Sequence, residues 1–242
     1  MSARWTDDFL DDLRQQGDWH ADQCLAQLID DGEINHASQL FQHLDFNSDK
    51  AIISQVQFPA LRAFFDTTNT LPSHTDYDRI RRAEDLFSNH LYPIALVMLC
   101  SSLPSGYAAK CLCEILNLSG ALQHHPYRRL MGVMQLVLNA TVNRGLAPSG
   151  SAIITAQKVR LLHAGIRHVA DEHLPDYRAQ YGVPVNHEDM LATIMGFSYL
   201  VIKGLRQLNR CRTCSGQSRH GRKSGTQEAR YHYSPISPYL YL

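Results

Sequence analysis

Apolar residues recur every three or four positions along nearly the whole chain, and this spacing predicts one amphipathic helix after another. "DDFLDDLRQQ" and "ADQCLAQLIDDG" show it first, with Gly32 as the stop of the second. "NHASQLFQHLDF" places Leu40, Phe41 and Leu44 on one face, and "SDKAIISQVQFPALRAFFDTT" continues the pattern, with Pro59 expected to kink or break it. "DYDRIRRAEDLFSNH" follows, then the buried-looking "LYPIALVMLCSSL". "SGYAAKCLCEILNLSGAL" should stop at Ser119-Gly120, and "PYRRLMGVMQLVLNATVNRG" should run from Pro126 to Gly145. "GLAPSGSA" is loop punctuation. A helix then spans "KVRLLHAGIRHVADEH", and a last one follows Asn186 as N-cap, with Asp189 at a capping-box spacing. No alternating strand of useful length interrupts this series. The fold class is all-α.

After Asn209 the period disappears. The segment 210–242 holds six Arg and Lys against one acid, Glu228, and reads as a disordered or poorly packed tail, with a shifted reading frame as one explanation. The domain reading is a helical region at 1–74 packing on a core at 75–209, followed by the tail at 210–242.

Composition narrows the classes. The chain has 242 residues, ample for a hydrophobic core, and is 44% hydrophobic and 19% charged. Lys+Arg and Asp+Glu both number 23, so no global field draws nucleic acid or an anionic membrane. The N-terminus is acidic rather than signal-like, and Pro93 and Pro104 interrupt the longest apolar stretch, which is shorter than the roughly 20 residues that span a bilayer. Six cysteines without an export signal read as reduced thiols, with Cys100, Cys111 and Cys113 as small buried hydrophobes. Cytoplasmic location is the expectation.

Candidate chemistry concentrates in "KVRLLHAGIRH". Arg160, His163 and Arg167 are three and four apart, so they share one helix face. An imidazole between two guanidiniums suits a metal centre carried by an anionic cofactor, because the positive charges keep the imidazole neutral and able to ligate. The same spacing also suits a surface stripe of Arg and His. Elsewhere, Cys211-x-x-Cys214 with His220, and His232 downstream, is an incomplete zinc pattern. His124-His125 reads as a solvated loop, "DRIRR" as a solvated face, and His168 and His173 as facing water.

Taken in order, "LPSGYAAKCLCEILNLSGAL", "PYRRLMGVMQLVLNA", "RGLAPSGSAIITAQ", "AQKVRLLHAGIRH" and "YGVPVNHEDMLATIMGFS" resemble the latex clearing protein (rubber oxygenase) superfamily. That superfamily includes the fungal oxygenase of mycophenolic acid synthesis. The resemblance covers roughly 75 to 209. It implies a globin-like, multi-helical single domain that binds haem b and uses dioxygen to cleave alkenes in polyprenoid or other apolar chains. By the same resemblance His163 is the iron ligand, Arg160 and Arg167 are cofactor-binding, and Arg129 is a catalytic arginine near the distal face. Glu114 is a candidate general base from the preceding helix. Rubber oxygenases carry a Lys-Thr pair three and four residues after that arginine; this chain has Gly132 and Val133 there. The competing expectation is a non-catalytic haem- or lipid-binding relative.

Overall fold

The computed structural model describes residues 5–49, 58–118, 120 and 124–208, and among them every regular element is helical. The tail with Cys211, Cys214, His220 and His232 lies outside the described residues, as does most of the stretch before Pro59. Helices α1 (Asp7–Arg14), α2 (Trp19–Asp30), α3 (Ile34–Phe41) and α4 (Pro59–Thr67) open the chain. They are followed by α5 (Tyr77–Asn89), α6 (Leu91–Tyr107) and α7 (Lys110–Leu118). Then come α8 (Pro126–Thr141), α9 (Ala152–His173), α10 (Tyr177–Tyr181), α11 (His187–Phe197) and α12 (Tyr199–Gln207).

Capping explains many of the boundaries. Thr6, Asp18, Asp76 and Asn186 each accept a backbone N–H of the first turn they precede. Pro59 starts α4 at its first position rather than kinking a longer helix, because its missing N–H costs nothing there. Pro104, by contrast, lies inside α6. The turn before it, Met98–Ser102, widens to π geometry, which relieves the clash a proline ring makes with the carbonyl four residues back. Helix α8 ends at Thr141, before the expected Gly145, and the chain turns with Arg144 in the left-handed region at φ 61°. The last helical run breaks at Ser198 into α11 and α12.

Helix α9 is the centre. Its Ile154, Leu161 and Ala164 pack with Ala21, Cys24 and Leu28 of α2 and Leu61, Phe64 and Phe65 of α4. Further along, its Ala170 joins Ile115 of α7 and Tyr177 of α10. A third cluster joins Ile94 and Met98 of α6, Val137 of α8, and Val201 and Leu205 of α12. The α6 stretch is amphipathic rather than wholly buried: Tyr92 and Leu96 are exposed, because α12 covers only one side. Cys100 is exposed, and Cys111 and Cys113 are half-buried, each held by a polar partner, so the expectation of three buried thiols is corrected. No single helix among the described residues is long and apolar enough to cross a membrane.

Two polar fastenings set the ends of this core. The Gly182 turn, at φ 84°, brings its Cα side against the Arg14 carbonyl, where a Cβ would lie 2.5 Å from the oxygen. Val183 N–H then donates to that carbonyl, and His187 N–H to Gln16, which ties α1 to the start of α11. The buried Asn47 fixes the other end. Its Nδ2 donates to the Gly145 and Ala147 carbonyls at 3.0 and 2.6 Å, and its Oδ1 accepts from Ile154 N–H at 3.1 Å, so the loop before α9 is held at the first turn. Asn47→Ala leaves those buried groups without their partner and should cost about 2–4 kcal/mol, read as a shift of the urea unfolding midpoint.

Candidate functional site

Helix α9 carries Arg160, His163 and Arg167 towards α2, where two acids meet the arginines. The Arg160 guanidinium binds Asp18 through two bonds, Nε–Oδ2 at 2.5 Å and Nη2–Oδ1 at 2.8 Å, and lies 5.3 Å from the centre of the Phe64 ring. Arg167 Nε donates to Asp22 Oδ1 at 2.7 Å, and its Nη1 reaches the Val185 carbonyl at 3.4 Å. Arg167 is only 3% exposed, so the face is not a surface stripe. Its Nη2 lies 2.7 Å from the same Asp22 oxygen but out of line for a hydrogen bond.

The two acids respond differently. Burial raises both, but for Asp18 the paired bonds and charge of Arg160 outweigh it, and the carboxyl stays below its ordinary range. For Asp22 burial wins over the Arg167 bond, helped by the Asp18 charge, and the carboxyl is raised.

His163 sits between these pairs. Its imidazole is pushed down to about 4, first by burial, then by the positive charges of Arg167 and Arg129, with Asp18 opposing. The residue is half-buried on α9. Neither ring nitrogen has a hydrogen-bond partner among the described residues. At neutral pH His163 is therefore an uncharged, uncommitted nitrogen donor. Among the described residues, no group of three or more His, Cys, Asp or Glu side chains is arranged to hold a metal. A lone imidazole suits a metal that brings its other ligands with it, as haem iron does, and the residues fit that group.

Arg129, on α8, is close enough for its charge to act on His163. It lines a recess of about 340 Å³ with His125, Arg128 and Gly132. Gly132 is exposed and Val133 half-buried, so this wall offers no polar side chain at either position. The structure thus brings His163, Arg160, Arg167 and Arg129 together. Glu114 is elsewhere engaged: its Oε1 accepts from the Tyr181 hydroxyl at 3.1 Å and lies 3.7 Å from Lys110 Nζ. His124, His125, His168 and His173 are exposed, as are the arginines of "DRIRR".

The acids Asp18 and Asp22 were not signalled by the sequence, since their partners lie more than a hundred residues away. Nor was a second buried polar group. Asp189 accepts no bond at Oδ2, while its Oδ1 faces the Cys111 thiol at 3.7 Å; the capping-box spacing provides only the Asn186 half of the exchange. Burial pushes this carboxyl up to about 6.

Comparison with known proteins places this arrangement. Over residues 93–232 the chain matches the family described as "ER-bound oxygenase mpaB/B'/Rubber oxygenase, catalytic domain". The chain belongs to this family. It is an oxygenase-type catalytic domain, and the matched span runs on past 209 into the basic tail. The rubber oxygenase of Streptomyces sp. (strain K30) is 26% identical over 194 residues, covering 78% of this chain and 46% of the relative. The chain therefore spans about half the length of that relative. No solved structure matches the chain. Asp18 and Asp22 lie before the matched span, so the oxygenase-family helix α9 takes its ion-pair partners from outside it.

Two outcomes follow from these contacts. Asp18→Ala removes the cap of α2 and strands a largely buried guanidinium, so it should cost about 3–4 kcal/mol in urea unfolding. Asp189 holds its proton to about pH 6 in the fold, against about 4 in an unfolded chain. The folded state thus carries the extra proton within that window, and stability falls as pH rises through it. Asp189→Asn should stabilise the protein by about 2–3 kcal/mol at pH 8, with the gain vanishing near pH 4, in denaturant titrations at the two pH values.

Proposed function

We propose that the protein is a haem-b-dependent oxygenase acting on an apolar, isoprenoid-like chain, with His163 as the residue that would hold the iron. The observation that carries this reading is the His163 imidazole itself: neutral, without a hydrogen-bond partner among the described residues, and set on a helix that two ion pairs immobilise. Family membership and the similarity to a rubber oxygenase support the reaction class.

Each residue then has a part. His163 offers its nitrogen lone pair, which protons contest only near pH 4. Arg160 and Arg167 hold α9 against α2 through their carboxylate partners Asp18 and Asp22, and the Arg167 charge disfavours the imidazolium. Arg129, with no acid partner among the described residues, is the cation we assign to the reacting side. Gly132 and Val133 leave that side open and add no polar side chain of their own beside Arg129. Glu114 we assign to the polar cluster with Tyr181 and Lys110. Haem, when bound, supplies the iron-based dioxygen chemistry that no side chain provides.

The missing polar pair at Gly132 and Val133 favours the second reading, a haem- or lipid-binding relative without catalysis. An absorption spectrum of the full chain reconstituted with haem b separates the two only in part. A Soret band lost in His163→Ala supports the ligand assignment, and a wild-type protein that stays colourless overturns it. Dioxygen uptake on adding an isoprenoid chain then distinguishes an oxygenase from a carrier.

A further inference from the structure

The recess on α8 stands out by its charge. Its lining residues are His125, the N-cap of α8, and Arg128, Arg129 and Gly132 of its first two turns; His125 and Gly132 each lie three and four positions from the two consecutive arginines. No acid among the described residues pairs with Arg128 or Arg129. Arg14, Arg79, Arg81, Arg160, Arg167 and Arg178 each hold a carboxylate; Arg82, Arg144 and Arg206 form no ion pair among the described residues either, but they do not line this recess. Two guanidiniums lining one open surface recess of about 340 Å³, with no carboxylate partner among the described residues, form an anion-receiving arrangement.

Gly132 makes the space. A glycine inside a helix is less stable there than alanine, so its presence calls for a reason. Backbone geometry supplies none, since Gly132 is not among the residues in the left-handed region, and a Cβ would meet nothing within 4 Å. Of the helical glycines with open space beside them, Gly132 is the one that lines this cationic recess. What its missing side chain leaves is room beside the guanidiniums. The flanks are apolar: Tyr127 and Met131, adjacent on α8, are 76% and 47% exposed. An anion with a hydrocarbon body matches these flanks better than a small inorganic ion.

We propose that this recess binds the carboxylate of an amphipathic molecule, with Arg128 and Arg129 donating to its oxygens and Gly132 providing the space. Two sources have this chemistry, the acid end of an apolar substrate chain and the propionates of the haem. The inference rests on the proposed function only for the second source and for what the bound chain would meet at His163.

Calorimetric titration of the full chain with dodecanoate and dodecanol, both below their aggregation limits, tests it. Dodecanoate should bind at least tenfold more tightly than dodecanol, the discrimination expected of charge-assisted hydrogen bonds. Arg128→Gln with Arg129→Gln should weaken dodecanoate roughly tenfold and leave dodecanol unchanged. Gly132→Leu should block dodecanoate while keeping the helical circular dichroism and thermal midpoint, because leucine favours the helix. The double glutamine variant, at partly exposed positions, keeps the test open if Gly132→Leu fails to fold. Equal binding of acid and alcohol, or no effect of the glutamines, would overturn the proposal. Repeating the titration on haem-loaded protein separates the sources. Dodecanoate excluded by haem, with faster haem loss to apomyoglobin in the glutamine variant, assigns the recess to propionates. Simultaneous binding assigns it to substrate. Dodecanoate binding by a protein that takes up no haem would sustain the recess while removing the haem reading.

Discussion

Asp18 and Asp22, one turn apart on α2, meet Arg160 and Arg167, two turns apart on α9, and the placing of the central helix follows from that meeting. Ion pairs this deep are not strong net stabilisers, because desolvation consumes most of the attraction. Their effect is selective. A guanidinium as buried as Arg167 is tolerable only with its acid in place, so any other register of α2 on α9 would strand a charge. The apolar contacts of Ala21, Cys24 and Leu28 with Leu161 and Ala164 then supply the favourable term that a slipped register would also forfeit.

That constraint determines the electrostatics of His163. Arg167 brings positive charge towards the ring, and Asp18 takes part of it away. The residue of this balance, together with burial, holds the imidazole neutral. Arg129, on α8, adds positive charge that no carboxylate among the described residues cancels. The site is thus asymmetric: compensated on the α2 side, uncompensated on the α8 side. An anionic ligand would feel the second side.

Much of this could be read along the chain. The helix series, the Asn186 cap and the shared face of Arg160, His163 and Arg167 all follow from residues within a turn or two of each other, where the period of the helix fixes geometry. The resemblance of ordered segments added the family, which the match over 93–232 bears out. Misplacements came where a local rule met a tertiary one. Pro59 opens a helix instead of bending one, α8 stops short of Gly145, and Cys100 is exposed on a side of α6 that none of the described residues covers. Glu114, the candidate general base that the resemblance suggested from the preceding helix, is bonded by Tyr181 and faces Lys110, contacts its spacing did not signal.

By itself the sequence determined that the chain is helical, that His163 lies between two arginines, and that positions 132 and 133 lack a polar pair. Those are properties of spacing and residue type. Only the tertiary structure decided that Asp18 and Asp22 satisfy those arginines, that Asn47 fastens the loop ahead of α9, and that Arg128 and Arg129 have no acid among the described residues. Charge compensation depends on distance in space, and between residues more than a hundred positions apart that distance exists only once the helices have packed.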